Sequence, residues 1–496
     1  MKTYAVPVGV EREFKTNEAF FSCTDRKGIL LAGNRIFQAI SGYAESELIG
    51  KPHNIIRHPD TPRAIFQLLW KTIQAGRPIA AFVKNMAKDG RFYWVVALVA
   101  PVNDGYISIR FKPSGSLFRT VIDLYAKMRA LEAEHEQRGE TGEAAMAASG
   151  QLLADALRSL GYADYNSLMH EVLLRSEIDS RDAALAASGL NLLPGLPDGH
   201  SDKPVGLEAA LQSFCIGGRR ELNEVQRHYQ ELGTFLELDK QLSKAAHAAR
   251  ALAEEFGLTA INISIRAMHC SDKGGAIAVV AGNLSETARQ ITSAVAAADQ
   301  KAKKVSSTIG IAAFNIAWAR LQVEMAALFY HEIYGDFLGG NLLPGSPQFQ
   351  SRLRLMEWLA AAAVRTHKST ETALATMVRE LSTMSEDAQA FRRLIVTLQV
   401  SKVVGLTESA HLKGLGEIQA AFDDMRARVE KIQSEFKAIE DIIEAILDHA
   451  RNAPKILAAM KTAVDLLGTN ARRLQEHDRP LEETPGKAKS AAVIAA

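Results

Sequence analysis

The chain is short of the features that mark secreted, membrane-spanning or nucleic-acid-binding proteins. Three cysteines occur in 496 residues, at Cys23, Cys215 and Cys270. Their odd number and wide spacing exclude a disulfide framework and a zinc motif and imply a reducing compartment. Charge of one sign is lacking too. With 58 Lys and Arg against 57 Asp and Glu, the net charge is +1, and no global field draws the chain to nucleic acid or an anionic membrane. Long apolar runs are missing: residues 309–319 and 358–364 are the best candidates, well short of the ~18 residues that span a bilayer. The apolar run at 4–10 is too short for a secretory signal and is followed at once by Glu11, Arg12 and Glu13. The expectation is a cytoplasmic protein. No phosphate-binding loop or catalytic constellation stands out, so it is not expected to be an enzyme.

What is present divides into two regimes. Residues 18–114 show strand periodicity broken by short helices. Phe20–Thr24 and Ile29–Ala32 flank Asp25–Gly28, Ile79–Met86 and Phe92–Val102 flank Lys88-Asp89-Gly90, and Asn103-Asp104-Gly105 leads into Tyr106–Phe111. Asp-Gly favours hairpins because glycine accepts positive φ. The order predicts a small α+β domain, a five-stranded antiparallel sheet with one face covered by helices near 35–41 and 62–75. Beyond it the pattern is mainly α. Heptads such as Leu222, Val225, Tyr229, Leu232, Leu236 and Ile418, Phe422, Met425, Val429, Ile432 place apolar side chains on seams that need partner helices, as in a coiled coil or an ordinary bundle. Asn191-Leu192-Leu193-Pro194-Gly195 recurs at 341–345, which points to an internal duplication. The expected organisation is an extension at 1–17, a sensor domain at 18–114, a helical linker at 115–204, a hairpin at 205–334, a linker at 335–349, a second hairpin at 350–450, and a helix remnant with a disordered tail at 451–496.

The segment Gly50-Lys51-Pro52-His53-Asn54-Ile55-Ile56-Arg57-His58-Pro59-Asp60 crowds polar side chains before a helix opened by Thr61-Pro62. A capped helix start accounts for the last of these and not for the cluster. With Thr24-Asp25, Gly28, Asn34, Phe37, Ser41-Gly42-Tyr43, Trp70, Val83-Lys84-Asn85 and Tyr93-Trp94-Val95, about 95 residues resemble the PAS domains of bacterial aerotaxis receptors. That resemblance implies non-covalent FAD, redox sensing, and a pocket of Asn34, Arg57, His58, Asp60, Phe66, Trp70 and Asn85. One departure is Ile79 after Arg77-Pro78, where the family often has tryptophan. Haem on His53 or His58 is the alternative cofactor. Phe66 and Trp70, four apart on one helix face, suit either a pocket wall or plain core packing.

A second stretch, from Ala260-Ile261-Asn262 through Met268-His269-Cys270 and Gly274-Gly275 to Val279-Val280-Ala281, resembles the signalling hairpin tip of methyl-accepting chemotaxis proteins. The resemblance implies a chemotaxis histidine kinase, its coupling protein or other chemoreceptors as partners. Glu254, Arg266 and His269 depart from the family's phenylalanine, glutamate and arginine, and bear on kinase control. The turn near 398–418 faintly echoes this tip, so one chain is expected to supply both hairpins of a four-helix bundle, with a homodimer as the other arrangement. The functional expectation is an aerotaxis-type redox or energy sensor driving a helical output. The alternative is a non-catalytic scaffold whose front domain serves only protein contact.

Overall fold

The computed structural model describes residues 5–477 apart from 103, 270–274 and 411–415. The expected turn at Asn103, the tip residues 270–274, the second turn at 411–415 and the tail from 482 on therefore lie wholly or partly outside the described residues. So do the side chains of Arg266 and His269.

The front of the chain forms one antiparallel sheet of β1 (Ala19–Asp25), β2 (Leu30–Gly33), β3 (Ile79–Met86), β4 (Phe92–Val102) and β5 (Gly105–Phe111), in the order β2-β1-β5-β4-β3. Between β2 and β3 run α1 (Arg35–Ser41), α2 (Glu45–Leu48), a 3₁₀ turn at His53–Ile56 and α3 (Arg63–Gln74). Turn chemistry accounts for the connections. Asp25 Oδ1 accepts from the N–H groups of Lys27 and Ile29, both at 2.8 Å, and Gly28 follows at φ +79°. Gly90 sits at φ +84° in the β3–β4 turn, and a Cβ there would lie 2.1 Å from the Val6 carbonyl oxygen. Gly90→Ala is accordingly expected to cost about 1–3 kcal/mol. Urea unfolding checks it, and an unshifted midpoint would contradict the close approach.

The near-continuous apolar reading of β3 and β4 follows from burial on both sides of the sheet. One face carries α1 and α3, as the sequence predicts. The other is covered by later helices, a face the sequence left unassigned. Phe118 of α4 (Leu117–Gln137) stacks on Phe82 at 5.7 Å and meets Trp94 edge-on at 5.3 Å. Phe329 of α9 (Gly275–Leu338) meets Phe21 at 5.1 Å, and Arg181 of α7 (Leu174–Ser188) lies over Phe111 at 5.4 Å. Within the stretch expected as a linker, 115–204, helices α4, α7 and α6 (Tyr165–Leu168) reach the sheet, and α5 (Gly142–Ser159) packs on α4 and α3.

Strand β3 is a sheet edge, and its outward carbonyls are met by side chains. The carbonyls of Ala80, Phe82 and Lys84, two residues apart, accept from Tyr165 OH at 2.8 Å, Tyr125 OH at 3.0 Å and Thr61 Oγ1 at 2.9 Å. An edge capped in this way is closed to further strand pairing.

The remaining elements are α8 (Gly206–His269), α10 (Pro347–Ala410), α11 (Gly416–Ala450) and α12 (Ala453–His477). The chain divides into two compact units, one of residues 1–229, 313–369 and 456–496, the other of 230–312 and 370–455. The division cuts across both expected hairpins rather than falling at 335–349. In the second unit the helices form a closed ring. Arg250–Asp299 and Ser306–Asp239 join α8 to α9, and Lys304–Glu380 joins α9 to α10. Phe391 stacks on Phe436 between α10 and α11, and Arg428–Glu255 with Phe235–His449 joins α11 to α8. In the α8–α9, α9–α10 and α11–α8 contacts one number rises as the other falls, Lys301–Asp387 lying beside Lys304–Glu380 in the second, so α8 and α10 run one way and α9 and α11 the other. One chain supplies a four-helix bundle from two hairpins of the same polarity. Its seam is apolar and heptad-spaced: Leu242, Ala249, Phe256, Leu284, Ile291, Leu381, Ile432 and Ile446 are all buried. No described helix is long and apolar enough to cross a membrane.

Candidate functional site

Between the α3 side of the sheet and α3 lies a cavity of about 510 Å³. Strand alternation decides what faces it: Ser22 and Thr24 from β1, Val83 and Asn85 from β3, Ala97 and Val99 from β4, and Tyr106, Ser108 and Arg110 from β5. The opposite wall is one face of α3, with Phe66, Leu69, Trp70 and Ile73 at helical spacing, and the 3₁₀ turn closes the side with His53 and Ile56. Small residues on the sheet leave the volume open. Gly28 permits the indole to lie close, since a Cβ there would stand 3.0 Å from Trp70.

Of the residues expected at the pocket, Arg57, Phe66, Trp70 and Asn85 line the cavity. The Arg57 guanidinium covers the Phe66 ring at 4.0 Å. Trp70 meets Tyr106 edge-on at 5.7 Å. Asn85 pairs with Arg57 through the backbone, and its buried Nδ2 has no hydrogen-bond partner.

Asn34, His58 and Asp60, expected at the pocket, are not among the residues that line it. Asn34 is the N-cap of α1: its Oδ1 accepts from the backbone N–H of Phe37 at 3.3 Å and of Phe21 at 3.1 Å. His58 packs edge-on against Phe92 at 6.1 Å, and its Nδ1 accepts from the Asp60 N–H at 3.1 Å. Burial and the Lys84 ammonium lower its imidazole pKa and keep it neutral. Asp60 is paired with Lys84 at 2.6 Å on the exposed side of the loop.

The sequence reading missed Arg110, Ser22, Ser108 and Tyr106. Their signal was phase: a lone arginine in an apolar strand, two residues beyond Ser108 and four beyond Tyr106. Arg110 is buried, and burial pushes its guanidinium down to about 10, still charged at neutral pH. It donates to Ser22 Oγ at 3.0 Å and to His53 Nε2 at 2.6 Å. His53, stacked on Phe37 at 6.3 Å, is kept neutral by burial and by the Arg110 charge. With that nitrogen committed to Arg110, and His58 outside the cavity, neither histidine suits an axial haem ligand. A flavin-like ring suits the site better: aromatic walls from Phe66, Trp70 and Tyr106, an unpaired amide at Asn85, an unpaired hydroxyl at Ser108 and a buried cation.

The cavity wall is tied to the helices by buried carboxylates. The N-terminus of α3 has no side-chain cap of its own, since its N-cap is Pro62. Glu132 of α4, fully buried, takes that role: it accepts from the N–H groups of Arg63 at 3.0 Å and Ala64 at 3.1 Å. It also accepts from Ser149 Oγ and Arg129, each at 2.7 Å. Burial alone would raise its carboxyl, and these donors hold it below the usual range. Glu177 of α7 accepts from the N–H groups of Ser114 and Gly115 at 2.9 Å. Glu332 of α9 accepts from the Arg35 N–H at 2.7 Å, the first residue of α1.

Residues 31–107 match the PAS fold family. The aerotaxis receptor of Escherichia coli (strain K12) is 39% identical over 114 residues, 22% of this chain and 22% of that receptor. The biofilm dispersion protein BdlA of Pseudomonas aeruginosa is 22% identical over 292 residues, 58% of this chain and 54% of its own. A crystal structure of a PAS domain from Colwellia psychrerythraea aligns over 19% of this chain and 85% of its own, at 19% identity and TM-score 0.18. The chain spans about half or less of these curated relatives.

Proposed function

With a PAS fold at its front, we propose that this chain is a cytoplasmic, non-enzymatic redox or energy sensor of the aerotaxis type. In this reading it holds FAD in the cavity under α3 and passes the cofactor's state to a helical output in chemotaxis-type signalling. The observation that carries the reading is a cavity walled by aromatics with buried, uncommitted polar groups at Asn85 and Ser108. The likeness of residues 31–107 to PAS domains, and of 114 residues to an aerotaxis receptor, supports it.

A bound flavin supplies a redox centre whose ring charge and protonation follow its oxidation state. The chain's own residues do the rest. Phe66 and Trp70 would wall the ring with apolar surface, and the Asn85 amide and the Ser108 hydroxyl would supply it with hydrogen bonds. Because Phe66 and Trp70 stand on α3, and α3 begins on the Glu132 carboxylate, displacement of α3 reaches α4 directly.

The second unit supports a partner-binding role. Leu258, Ile261 and Ile265 of α8 and Val396, Val400 and Val404 of α10 are exposed aliphatics at helical spacing. The two stripes are offset by 138–139 residues, as are the buried pairs Ala249 with Ala388 and Phe256 with Ile395. They suit a chemotaxis-type kinase, its coupling protein or a receptor. Glu254, where the resembled family has phenylalanine, pairs with Arg250 at 3.0 Å.

The test is the purified full chain. A yellow protein that releases FAD on denaturation is the expected result. Trp70→Ala, which removes a wall of the cavity, is expected to leave the protein folded and colourless. A colourless wild type that takes up no added flavin would refute the cofactor reading, and a Soret band would replace it with haem.

A further inference from the structure

We propose that Arg110, His53 and Ser22 form an oxyanion receptor on the sheet side of the cavity, binding a phosphate or an anionic ring oxygen of the ligand. The proposal rests on the flavin reading for its probes and on this chain's side chains for its chemistry.

Arg110 is 3% exposed, and among the described residues no acidic side chain forms an ion pair with it. Its hydrogen bonds go to neutral acceptors: Ser22 Oγ at 3.0 Å, the Ser108 carbonyl at 3.5 Å and His53 Nε2 at 2.6 Å. The Phe20 and Phe37 rings lie 5.9 and 5.6 Å from its guanidinium carbon. A buried cation with only neutral partners is costly, and a charge-assisted bond to an anion offsets that cost. His53 fits this role. Accepting from Arg110 at Nε2 puts its own proton on Nδ1, so the ring orients the guanidinium without adding charge. Ser108 Oγ and Asn85 Nδ2, in residues 7% and 3% exposed, face the same cavity without partners. Asn85 Nδ2 can only donate and Ser108 Oγ can donate as well as accept, so together they favour a ligand whose presented edge is rich in acceptors.

The test uses the full chain as wild type and as Arg110→Met. It measures affinity for riboflavin, FMN and FAD by flavin fluorescence, and melting of the ligand-free protein with and without inorganic pyrophosphate. Arg110→Met is expected to melt, ligand-free, at or above the wild-type temperature, because a buried unpaired charge has been removed. It is also expected to bind FAD roughly 10- to 100-fold more weakly. Weakening of all three flavins assigns the anion to the ring edge, and weakening of FMN and FAD alone assigns it to phosphate. Either outcome supports the receptor. Equal affinities in wild type and variant overturn it, and a lowered melting temperature with unchanged affinity makes Arg110 structural only. If the wild type binds no flavin, the cofactor reading fails by itself and pyrophosphate decides. A melting shift in wild type that Arg110→Met lacks then supports the receptor, and equal shifts or none overturn it. Should Arg110→Met not fold, Arg110→Gln, which keeps a donor for Ser22, carries the same comparisons.

Discussion

Replacing Glu132 by alanine is expected to lower the stability of the first unit by about 3 kcal/mol, the low end for breaking a buried charge network. Four donors lose their acceptor at once: the N–H groups of Arg63 and Ala64, Ser149 Oγ and Arg129. The two amides are orphans of the α3 N-terminus, which Pro62 cannot cap. Ser149 is fully buried, so its hydroxyl has no water to turn to. Arg129 is 24% exposed at its side chain and also faces Glu136 at 3.8 Å, which limits the loss at that partner. Glu132→Gln keeps an acceptor oxygen and is expected to lose about half as much. Urea unfolding gives the magnitude, and amide exchange at Arg63 and Ala64 places it. A Glu132→Ala protein with wild-type midpoint and wild-type protection at those amides would show that α3 needs no cap from α4. In the proposed sensor the same variant separates binding from output. The cavity keeps its ligand, while ligand-dependent changes in exchange along α4 disappear.

How far the sequence disclosed this arrangement varies with the physics behind each part. The strands around Asp25–Gly28 and Asp89-Gly90 were legible nearly to the residue, because glycine at positive φ and aspartate at the turn start are local requirements there. Helical spacing put Phe66 and Trp70, four apart, on one face, and left open whether that face walls a pocket or packs in a core. Arg110 was not, since its strand reads the same whichever face is hollow. Asn34 carried a readable N-cap signature directly before α1, and the resemblance drew it into the pocket instead. Glu132, Glu177 and Glu332 stand in helices where glutamate ordinarily faces water. Only tertiary packing brings each against backbone N–H groups. The same-polarity hairpins were foreshadowed by the repeated string and the echoing turns, but the helix pairing that makes them one bundle is a long-range fact. The apolar character of β3 and β4 on both faces was visible in their composition, and read as one covered face it lost half its meaning.

Raising the pH from about 5 to 8 is expected to weaken wild-type protein by about 3 kcal/mol relative to Glu332→Gln, from the pKa difference at this one carboxyl. Glu332 accepts from the Arg35 N–H at 2.7 Å and lies 3.3 Å from Arg352, whose guanidinium also serves Asp336 at 3.0 Å. Burial pushes its carboxyl up to about 7, with Arg352 and the Arg35 N–H pulling the other way. In an unfolded chain the same group titrates near ~4.3. Between those values the folded chain holds a proton that the unfolded chain has released. Stability therefore falls as pH rises through the window and the loss is complete above about 7. Glu132 behaves oppositely, its lowered carboxyl contributing at neutral pH and losing that contribution in acid. Asp239, also raised, to about 6, is common to both proteins and cancels in the difference. Glutamine keeps the acceptor for Arg35 and leaves Asp336 to Arg352, so Glu332→Gln is expected to fold with a flat difference only outside the window. Urea midpoints taken every half unit from pH 5 to 8 decide it. A wild-type-minus-variant difference that stays constant would mean the carboxyl is solvated in the folded chain and the α1–α9 contact carries no proton.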